Sequence, residues 1–89
     1  MIEETVTLKN KLGLHVRAAA KIVQTTNEFR SRITLQCGSV EADAKSILGI
    51  IELRAGKGTP MHIRAEGEDE KAAVEALRAL VDRRFDESS

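Results

Sequence analysis

A histidine and an arginine stand two positions apart in a short segment that reads Gly-Leu-His-Val-Arg-Ala-Ala-Ala, residues 13–20. A helix is predicted to begin here, and a helix N-terminus presents unpaired N–H groups that bind anions. The same field favours a neutral, nucleophilic imidazole at His15. The Arg17 guanidinium can donate two parallel hydrogen bonds to phosphate oxygens. These residue types predict a phosphoryl acceptor, although a lone exposed histidine more often has no function.

The charge around this segment is positive, although the chain as a whole is neutral. The 89 residues contain 14 basic and 14 acidic side chains. No acidic residue lies between Glu4 and Glu28, whereas Lys9, Lys11 and Lys21 do. Such a segment can attract an anion locally, or it can simply be a solvated face. Neutral net charge and only two aromatic residues argue against a nucleic-acid binder.

Apolar residues recur at two different periods along the chain. Period-two alternation predicts four strands, which bury Ile2, Val6 and Leu8; Ile33, Leu35 and Cys37; Val40, Ala42 and Ala44; and Met61, Ile63 and Ala65. Gly38-Ser39 predicts a two-residue hairpin turn between the second and third strands. Helical spacing predicts one apolar stripe of Val16, Ala19, Ala20, Val23 and Asn27, widened by Ile22, and another of Ala73, Val74, Leu77, Leu80 and Val81.

The short segment between these stripes predicts a third helix. Ser46 is well placed as its N-cap, and four apolar residues follow at Ile47, Leu48, Ile50 and Ile51. At the other end of the chain, Asp86 to Ser89 are expected to fray. The element order predicts one two-layer α+β domain over residues 1–89, with an antiparallel or mixed sheet and all helices on one face.

Segments for export or membrane insertion are not visible in this sequence. No apolar run approaches the ~20 residues of a spanning helix, and the first residues do not resemble a signal peptide. Cys37 stands alone and is expected to pack in the core. His15, Cys37 and His62 have no recognisable metal-ligand spacing, so we expect no metal site and no cofactor. His62 is expected on the surface, and the protein is expected in the cytoplasm.

Two motifs in this chain resemble those of the histidine-containing phosphocarrier (HPr) family. The 13–20 segment is similar to that family's Gly-Leu-His-Ala-Arg-Pro-Ala-Ala signature, and Ala44-Lys45-Ser46-Ile47-Leu48-Gly49-Ile50 is similar to its regulatory serine motif. Ala65-Glu66-Gly67-Glu68-Asp69-Glu70 is similar to the family's entry into its last helix. The resemblance spans essentially the whole chain. It implies an open-faced β-sandwich, a four-stranded antiparallel sheet covered by three helices.

The resemblance also implies a function. The family receives a phosphoryl group from enzyme I, which takes it from phosphoenolpyruvate, and passes it to IIA components of sugar transporters. By position, His15 becomes the carrier, normally through Nδ1, and Arg17 its partner, with Val16, Arg17 and Ala18 around the phosphate. The family usually has Pro at the position of Ala18 and Ala at that of Val16. The phosphate chemistry is expected to survive the change to Ala18, which gains an N–H but loses the fixed φ of Pro, so local rigidity and transfer rates are where an effect is expected. Val16 is a smaller change that adds bulk beside the imidazole.

Two further roles follow from the resemblance. Ser46 corresponds to the target of HPr kinase/phosphorylase, although helix capping alone also explains a serine there. A phosphate at that position would suit the helix N-terminus and add roughly two negative charges. The docking surface for enzyme I and IIA proteins would include Ala20, Ile47, Leu48 and Ile51, although a doubly covered core helix explains the same apolar residues. No membrane or nucleic-acid contact is expected, and a monomer is.

Three functional hypotheses remain open at this point. The first is a sugar phosphocarrier that relays phosphate without turning over as an enzyme. The second is a regulatory phosphorelay of the same fold that acts without sugar uptake, and neighbouring genes would separate the two. The third is a plain α+β interaction or ligand-binding module, which a histidine that resists phosphorylation would favour.

Overall fold

Four strands and three helices follow one another in the order βαββαβα. The protein was examined as a computed structural model that describes residues 1–87. The strands are β1 (Ile2–Thr7), β2 (Arg32–Cys37), β3 (Val40–Asp43) and β4 (Pro60–Glu66), and the helices are α1 (Val16–Thr26), α2 (Ile47–Glu52) and α3 (Glu70–Asp82). A single 3-10 turn, Arg84–Asp86, follows α3. The predicted element order is confirmed.

The strands form one antiparallel sheet in the order β1-β4-β2-β3. Its inward face buries the alternating apolar residues of β2 and β4, including Leu35 and Ile63. Helices α1 and α3 cover this face and contact each other, while α2 packs against α1 and β3. Gly38 has a φ of 62° in the turn between β2 and β3, which a type II′ turn requires at its first central residue. The two-layer open sandwich is therefore confirmed.

The face of α1 that meets the core differs from the predicted stripe. The buried residues are Ala18, Ala19, Ile22 and Thr26, whereas Val16 and Asn27 are exposed and Ala20 and Val23 are only partly covered. The prediction omitted Thr26 because its side chain is polar. Its hydroxyl donates hydrogen bonds to the Ala44 carbonyl at 2.9 Å and the Val23 carbonyl at 3.2 Å, so burial leaves it satisfied.

Two smaller expectations for the strands and helices have different outcomes. The apolar stripe of α3 is fully buried as predicted. In β3, however, Val40 is exposed; it is the first residue of a strand at the edge of the sheet. Ala42 and Ala44 are buried as expected, although Ala44 lies just after the strand.

The segment after α3 is ordered, which contradicts the prediction that Asp86 onward frays. Phe85 is fully buried, and the backbone N–H of Glu87 donates to the Arg84 carbonyl at 2.9 Å. Phe85 follows the end of α3 and adds its ring to the core, so the core extends past the helix end. The last two predicted fraying positions, Ser88 and Ser89, lie outside the described residues.

Candidate functional site

A tight loop delivers His15 to the start of α1. Gly13 adopts a φ of 64°, a left-handed conformation that glycine takes readily. A Cβ at this position would lie 2.3 Å from the Ala55 carbonyl oxygen, and the next amide, of Leu14, donates to that oxygen at 2.9 Å. His15 follows in an extended conformation as the N-cap residue of α1. The close approach to Ala55 therefore fixes where the imidazole leaves the backbone.

The first turn of α1 keeps its N–H groups available. The His15 side chain makes no capping hydrogen bond. Within residues 1–87, the amides of Val16, Arg17 and Ala18 have no hydrogen-bond partner. The Ala18 side chain is buried, so this residue offers only its backbone N–H. Three converging N–H donors beside an imidazole form an anion site of the kind found at helix N-termini.

A carboxylate from the C-terminal segment lies against the imidazole. His15 Nε2 donates a short hydrogen bond to one carboxylate oxygen of Glu87. The other oxygen, Oε1, accepts from Asn10 Nδ2 at 3.1 Å. Asn10 is fully buried and also donates to the Gly13 carbonyl at 2.8 Å. The imidazole is 26% exposed, so the site is partly covered rather than fully open.

These contacts determine which ring nitrogen carries the lone pair. An ionised carboxylate only accepts hydrogen bonds, so the proton of a neutral His15 must be on Nε2. The other nitrogen, Nδ1, then carries the lone pair. Among the described residues, Nδ1 has no hydrogen-bond partner. The geometry thus leaves Nδ1 available for bond formation.

The charges around the ring are mixed. Partial burial by itself raises the pKa of Glu87, but hydrogen bonds from Asn10 and His15, together with the charges of His15 and Arg17, hold that pKa below its ordinary value. Glu87 is therefore ionised at neutral pH. The Arg17 side chain is exposed and makes no hydrogen bond within residues 1–87. Its guanidinium is therefore accessible to an anionic ligand.

Two lysines of the basic segment are engaged by acidic residues near the C-terminal end of the described chain. Lys9 pairs with Asp82 at 3.0 Å and Lys21 with Asp86 at 3.3 Å. Both pairs are exposed, so each contributes little to stability. The sequence predicted a uniformly basic segment, whereas the fold brings Asp82, Asp86 and Glu87 across to it. Lys9 and Lys21 therefore contribute less to local attraction for an anion than unpaired side chains would. Arg17 and the helix amides contribute the rest, together with Lys11.

The second motif forms a helix start that is capped by its own side chain. Ser46 is the N-cap residue of α2, and its Oγ accepts a hydrogen bond from the Gly49 amide at 3.1 Å. The predicted capping role is confirmed. The side chain remains partly exposed.

The four predicted docking residues lie on the neighbouring helices α1 and α2. Leu48 is 74% exposed and Ile47 is also exposed, whereas Ala20 and Ile51 are partly covered. Ile50 faces the core and is fully buried. The excess of apolar residues in α2 is thus divided between the core and the surface. Sequence analysis did not single out Leu12, which is 66% exposed in the loop before His15.

Asn10 and Glu87 are the site residues that sequence analysis missed. They are separated by 77 positions, and no local pattern links them. One signal was available: Phe85 is a large apolar residue shortly after the α3 stripe, and its burial places the following residues against the protein.

The two remaining candidates for chemistry are placed elsewhere. His62 lies on the outer face of the sheet, with hydrogen bonds to Thr5 and Glu3. Cys37 is buried, which raises the pKa of its thiol. In the part of the chain that the structure describes, no cluster of three or more ligating side chains is arranged to hold a metal ion. None of the helices of residues 1–87 is long and apolar enough to cross a bilayer.

Fold and site together define a small α+β protein that presents a histidine at an uncapped helix N-terminus. A family model described as the PTS HPr component phosphorylation site matches residues 2–83. The phosphocarrier protein HPr of Xylella fastidiosa is 47% identical over 89 residues, which cover 100% of both chains. The phosphocarrier protein NPr of Shewanella violacea is 44% identical over 88 residues, covering 99% of this chain and 97% of the relative.

Solved structures that resemble this chain are also HPr proteins. The crystal structure of HPr-C-His from Thermoanaerobacter tengcongensis has a TM-score of 0.95 and 42% identity, with 100% of both chains covered. HPr from that organism has also been crystallised as a dimer. The chain belongs to the HPr family of phosphocarrier proteins of the phosphotransferase system. A phosphocarrier is a relay protein and not a catalytic enzyme.

Proposed function

We propose that this protein accepts a phosphoryl group on His15 from phospho-enzyme I, which draws it from phosphoenolpyruvate, and passes it to IIA proteins. The observation that carries the proposal is the His15 ring itself: Nε2 is engaged by Glu87 while Nδ1 has no partner among the described residues. The open amides of Val16 to Ala18 and the exposed Arg17 guanidinium lie next to it in sequence and can hold phosphate oxygens. Residues 1–89 act as one domain in this proposal.

The transfer step needs no proton to leave the attacking atom. The Nδ1 lone pair forms a bond to the phosphorus of the donor's phosphohistidine, and the donor N–P bond breaks with its electron pair returning to the donor ring. Because the His15 proton is already on Nε2, the product is a positively charged ring bearing the phosphoryl group. The helix amides and Arg17 balance the charge on the phosphoryl oxygens. Reversal of the same step delivers the group to the acceptor.

The chain contains two histidines, which gives the decisive experiment a matched control. Wild type and His62→Ala are each incubated with phosphoenolpyruvate and enzyme I, and both are expected to gain one acid-labile phosphate by mass spectrometry. His15→Ala is expected to gain none. Phosphorus NMR of the labelled wild type should show the phosphate on Nδ1. Equal labelling of His15→Ala would overturn the assignment.

The acceptor class is the point at which two functions diverge. HPr of Xylella fastidiosa and NPr of Shewanella violacea are similarly close to this chain, at 47% and 44% identity. Because the two identities are similar, the regulatory phosphorelay that acts without sugar uptake is retained as the alternative function. Phosphorylated protein offered a sugar-type and a nitrogen-type IIA protein together should transfer faster to the sugar type. Preferential transfer to the other would favour the regulatory relay.

Ser46 is proposed as a second, regulatory phosphorylation site for HPr kinase/phosphorylase. Its hydroxyl accepts from Gly49 and is partly exposed, so phosphate oxygens could continue to accept that N–H. Purified kinase and ATP should label wild type and His15→Ala but not Ser46→Ala. Labelling of Ser46→Ala would contradict the proposal.

The surface formed by Ala20, Ile47, Leu48 and Ile51 is proposed to dock enzyme I and IIA proteins. An exposed apolar patch beside a nucleophile fits a transient protein interface. Leu48→Ser should weaken enzyme I binding, because Leu48 is the most exposed of the four. Val40→Ser should not, because Val40 is apolar and exposed but lies in β3, outside this surface.

We further propose that the protein is cytoplasmic and a monomer. Sedimentation of the purified protein tests the monomer against the dimer known from a relative.

A further inference from the structure

We propose that Glu87, held in place by Asn10, is a positioning residue that keeps the His15 proton on Nε2 and so presents Nδ1 to the phosphoryl donor. The proposal deepens the proposed function and rests on it. Three features of the structure carry it: the direction of the hydrogen bonds, the cost of the buried asparagine, and the strained backbone that delivers Glu87.

The hydrogen bonds run in one direction, from Asn10 to Glu87 and from His15 to Glu87. The Asn10 amide cannot be turned over, because its NH2 group faces two acceptors, the Gly13 carbonyl and Glu87 Oε1. With one carboxylate oxygen occupied by Asn10, the other receives the ring N–H. Glu87 therefore has an accepting oxygen at each partner, and only a carboxylate offers both.

The orientation of Asn10 carries a cost that packing alone does not explain. Asn10 is fully buried, and its Oδ1 has no hydrogen-bond partner among residues 1–87. Unpaired buried polar atoms are rare and destabilising. The side chain is kept because its NH2 group joins the loop that ends at His15 to the carboxylate that contacts His15.

The backbone that brings Glu87 to the ring is also strained. Three consecutive non-glycine residues, Arg84, Phe85 and Asp86, have φ values of 55°, 54° and 61°. Left-handed backbone is unfavourable for such residues and persists only where its surroundings enforce it. Burial of Phe85 enforces it here. The turn reverses the chain after α3, so that Glu87 reaches the start of α1.

With the proton fixed on Nε2, transfer can run in either direction without a proton moving. When Nδ1 bonds to phosphorus, the ring becomes positively charged, and the adjacent carboxylate stabilises that charge as an orienting carboxylate does beside a catalytic imidazole. When the phosphoryl group leaves, the N–P bonding electrons return to Nδ1 and the ring becomes neutral. The Nε2 proton stays in place throughout, and Glu87 gains and loses no proton.

The test compares two replacements that a merely structural role would not distinguish. Glu87→Gln has one accepting oxygen, which the fixed Asn10 NH2 group takes, so the new amide NH2 faces the ring. The ring must then accept at Nε2 and carry its proton on Nδ1. Glu87→Ala removes the partner and leaves a mixture of both tautomers. Asp86→Asn, which alters the neighbouring carboxylate paired with Lys21, is the matched control and tolerates the left-handed backbone.

Nitrogen-15 NMR of the His15 ring reads the proton position without any phosphorylation. We expect the proton on Nε2 in wild type and Asp86→Asn, on both nitrogens in Glu87→Ala, and mainly on Nδ1 in Glu87→Gln. Rapid-quench labelling by phospho-enzyme I should slow roughly tenfold in Glu87→Ala and roughly 100-fold in Glu87→Gln. An unchanged proton position in Glu87→Gln, or labelling of that variant at the Asp86→Asn rate, would overturn the proposal.

The two readouts separate this proposal from the proposed function. If wild type takes no label while the ring proton moves as expected, the phosphocarrier function fails and the hydrogen-bond geometry stands. If wild type is labelled on His15 and all variants keep the wild-type proton position, the function stands and Glu87 is not a positioning residue.

Discussion

The starts of α1 and α2 use the same backbone geometry with opposite results. In both, the residue before the helix is extended and carries a side chain that we propose is phosphorylated, His15 in one and Ser46 in the other. Ser46 turns back and accepts the Gly49 amide. His15 makes no such bond and instead points its Nε2 at Glu87. One helix start therefore has an amide capped by its own N-cap residue, and the other has none.

The difference shows how the amides of a helix N-terminus can be left available for a ligand. A capping side chain satisfies one of the amides at the start of its own helix, as Ser46 does for Gly49, and this stabilises the fold. At α1 the stabilisation comes from elsewhere, from the Gly13 loop on one side and the segment around Phe85 and Glu87 on the other. The amides therefore remain available for a ligand. Replacements in these supporting parts should affect stability more than replacement of the cap itself.

Phe85→Ala should have the largest effect, because it removes the anchor of the segment that covers the open helix start. Phe85 is fully buried, and such replacements cost about 3–5 kcal/mol of unfolding free energy. Urea unfolding measures this loss of stability. The Nε2 atom of His15 should also lose its contact with Glu87, which nitrogen-15 NMR of the ring detects. Phe29, the other aromatic residue, is only partly buried, so Phe29→Ala is the control. A loss in Phe85→Ala no larger than in Phe29→Ala would contradict the anchoring role.

Gly13→Ala should have the next largest effect, because it disturbs the loop on the other side of the helix start. Left-handed backbone costs roughly 1–2 kcal/mol for a residue with a Cβ, and overlap with the Ala55 carbonyl adds about 1–3 kcal/mol. Gly38→Ala separates the two, since Gly38 has nearly the same φ, 62°, but open space around it. Thermal unfolding should show a greater loss for Gly13→Ala. Equal losses would show that the close approach to Ala55 is unimportant.

The sequence was sufficient to predict the parts of the fold that depend on local periodicity. Alternation gave β2 and β4, helical spacing gave α3, and the serine before the Ile47–Leu53 stretch gave the capped start of α2. The face of α1 was wrong because a threonine, Thr26, is buried through hydrogen bonds to carbonyls, and residue polarity does not report such bonds. His15, Arg17 and the adjacent amides were identified because they are neighbours in the chain.

The cover over His15 could not be predicted, because it depends on contacts between distant segments. Asn10 and Glu87 lie at opposite ends of the chain and meet only after the sheet forms and α3 packs across it. A run of polar residues after the last helix predicts fraying on composition. Burial of the single residue Phe85 keeps the segment ordered instead. The left-handed turn that permits this burial contains no glycine, so the sequence carries no local signal for it.

Ser46→Ala removes the cap of α2 and should reduce the unfolding free energy less than the two preceding replacements. Loss of a serine N-cap costs about 1 kcal/mol, and urea unfolding of wild type and variant measures it. Ser39→Ala is the control, since Ser39 is exposed in the β2–β3 turn and should change little. Because the cap of α2 is separate from the His15 hydrogen bonds, the ring nitrogens should be unaffected. A change in the His15 proton position in Ser46→Ala would show that the two helix starts are coupled.

The start of α3 provides a third arrangement and the smallest expected effect. Its N-cap residue, Asp69, does not cap its own helix but accepts hydrogen bonds from the Ser31 hydroxyl and from the Arg30 and Ser31 amides. The Ser31 hydroxyl, followed by the Arg30 amide, lowers the pKa of Asp69. A carboxyl whose pKa is lower in the folded state stabilises the fold above its ordinary value of about 3.9. That stabilisation is lost as the pH falls through the lower folded value.

Asp69→Asn should therefore be less stable than wild type at neutral pH, with a difference that shrinks as the solution is acidified. Unfolding measured at a series of pH values from neutral to about one unit below the ordinary value tests this. Glu68→Gln removes a charge from the same acidic segment without touching the contacts to Ser31, so it isolates the hydrogen bonds from net charge. A difference between wild type and Asp69→Asn that grows on acidification would contradict the sign. Glu87 contacts His15 as an ionised acceptor from a distant segment, and Asp69 is expected to hold the α1–β2 loop against α3 in the same way. The contrary result would show that Asp69 does not act as such an acceptor.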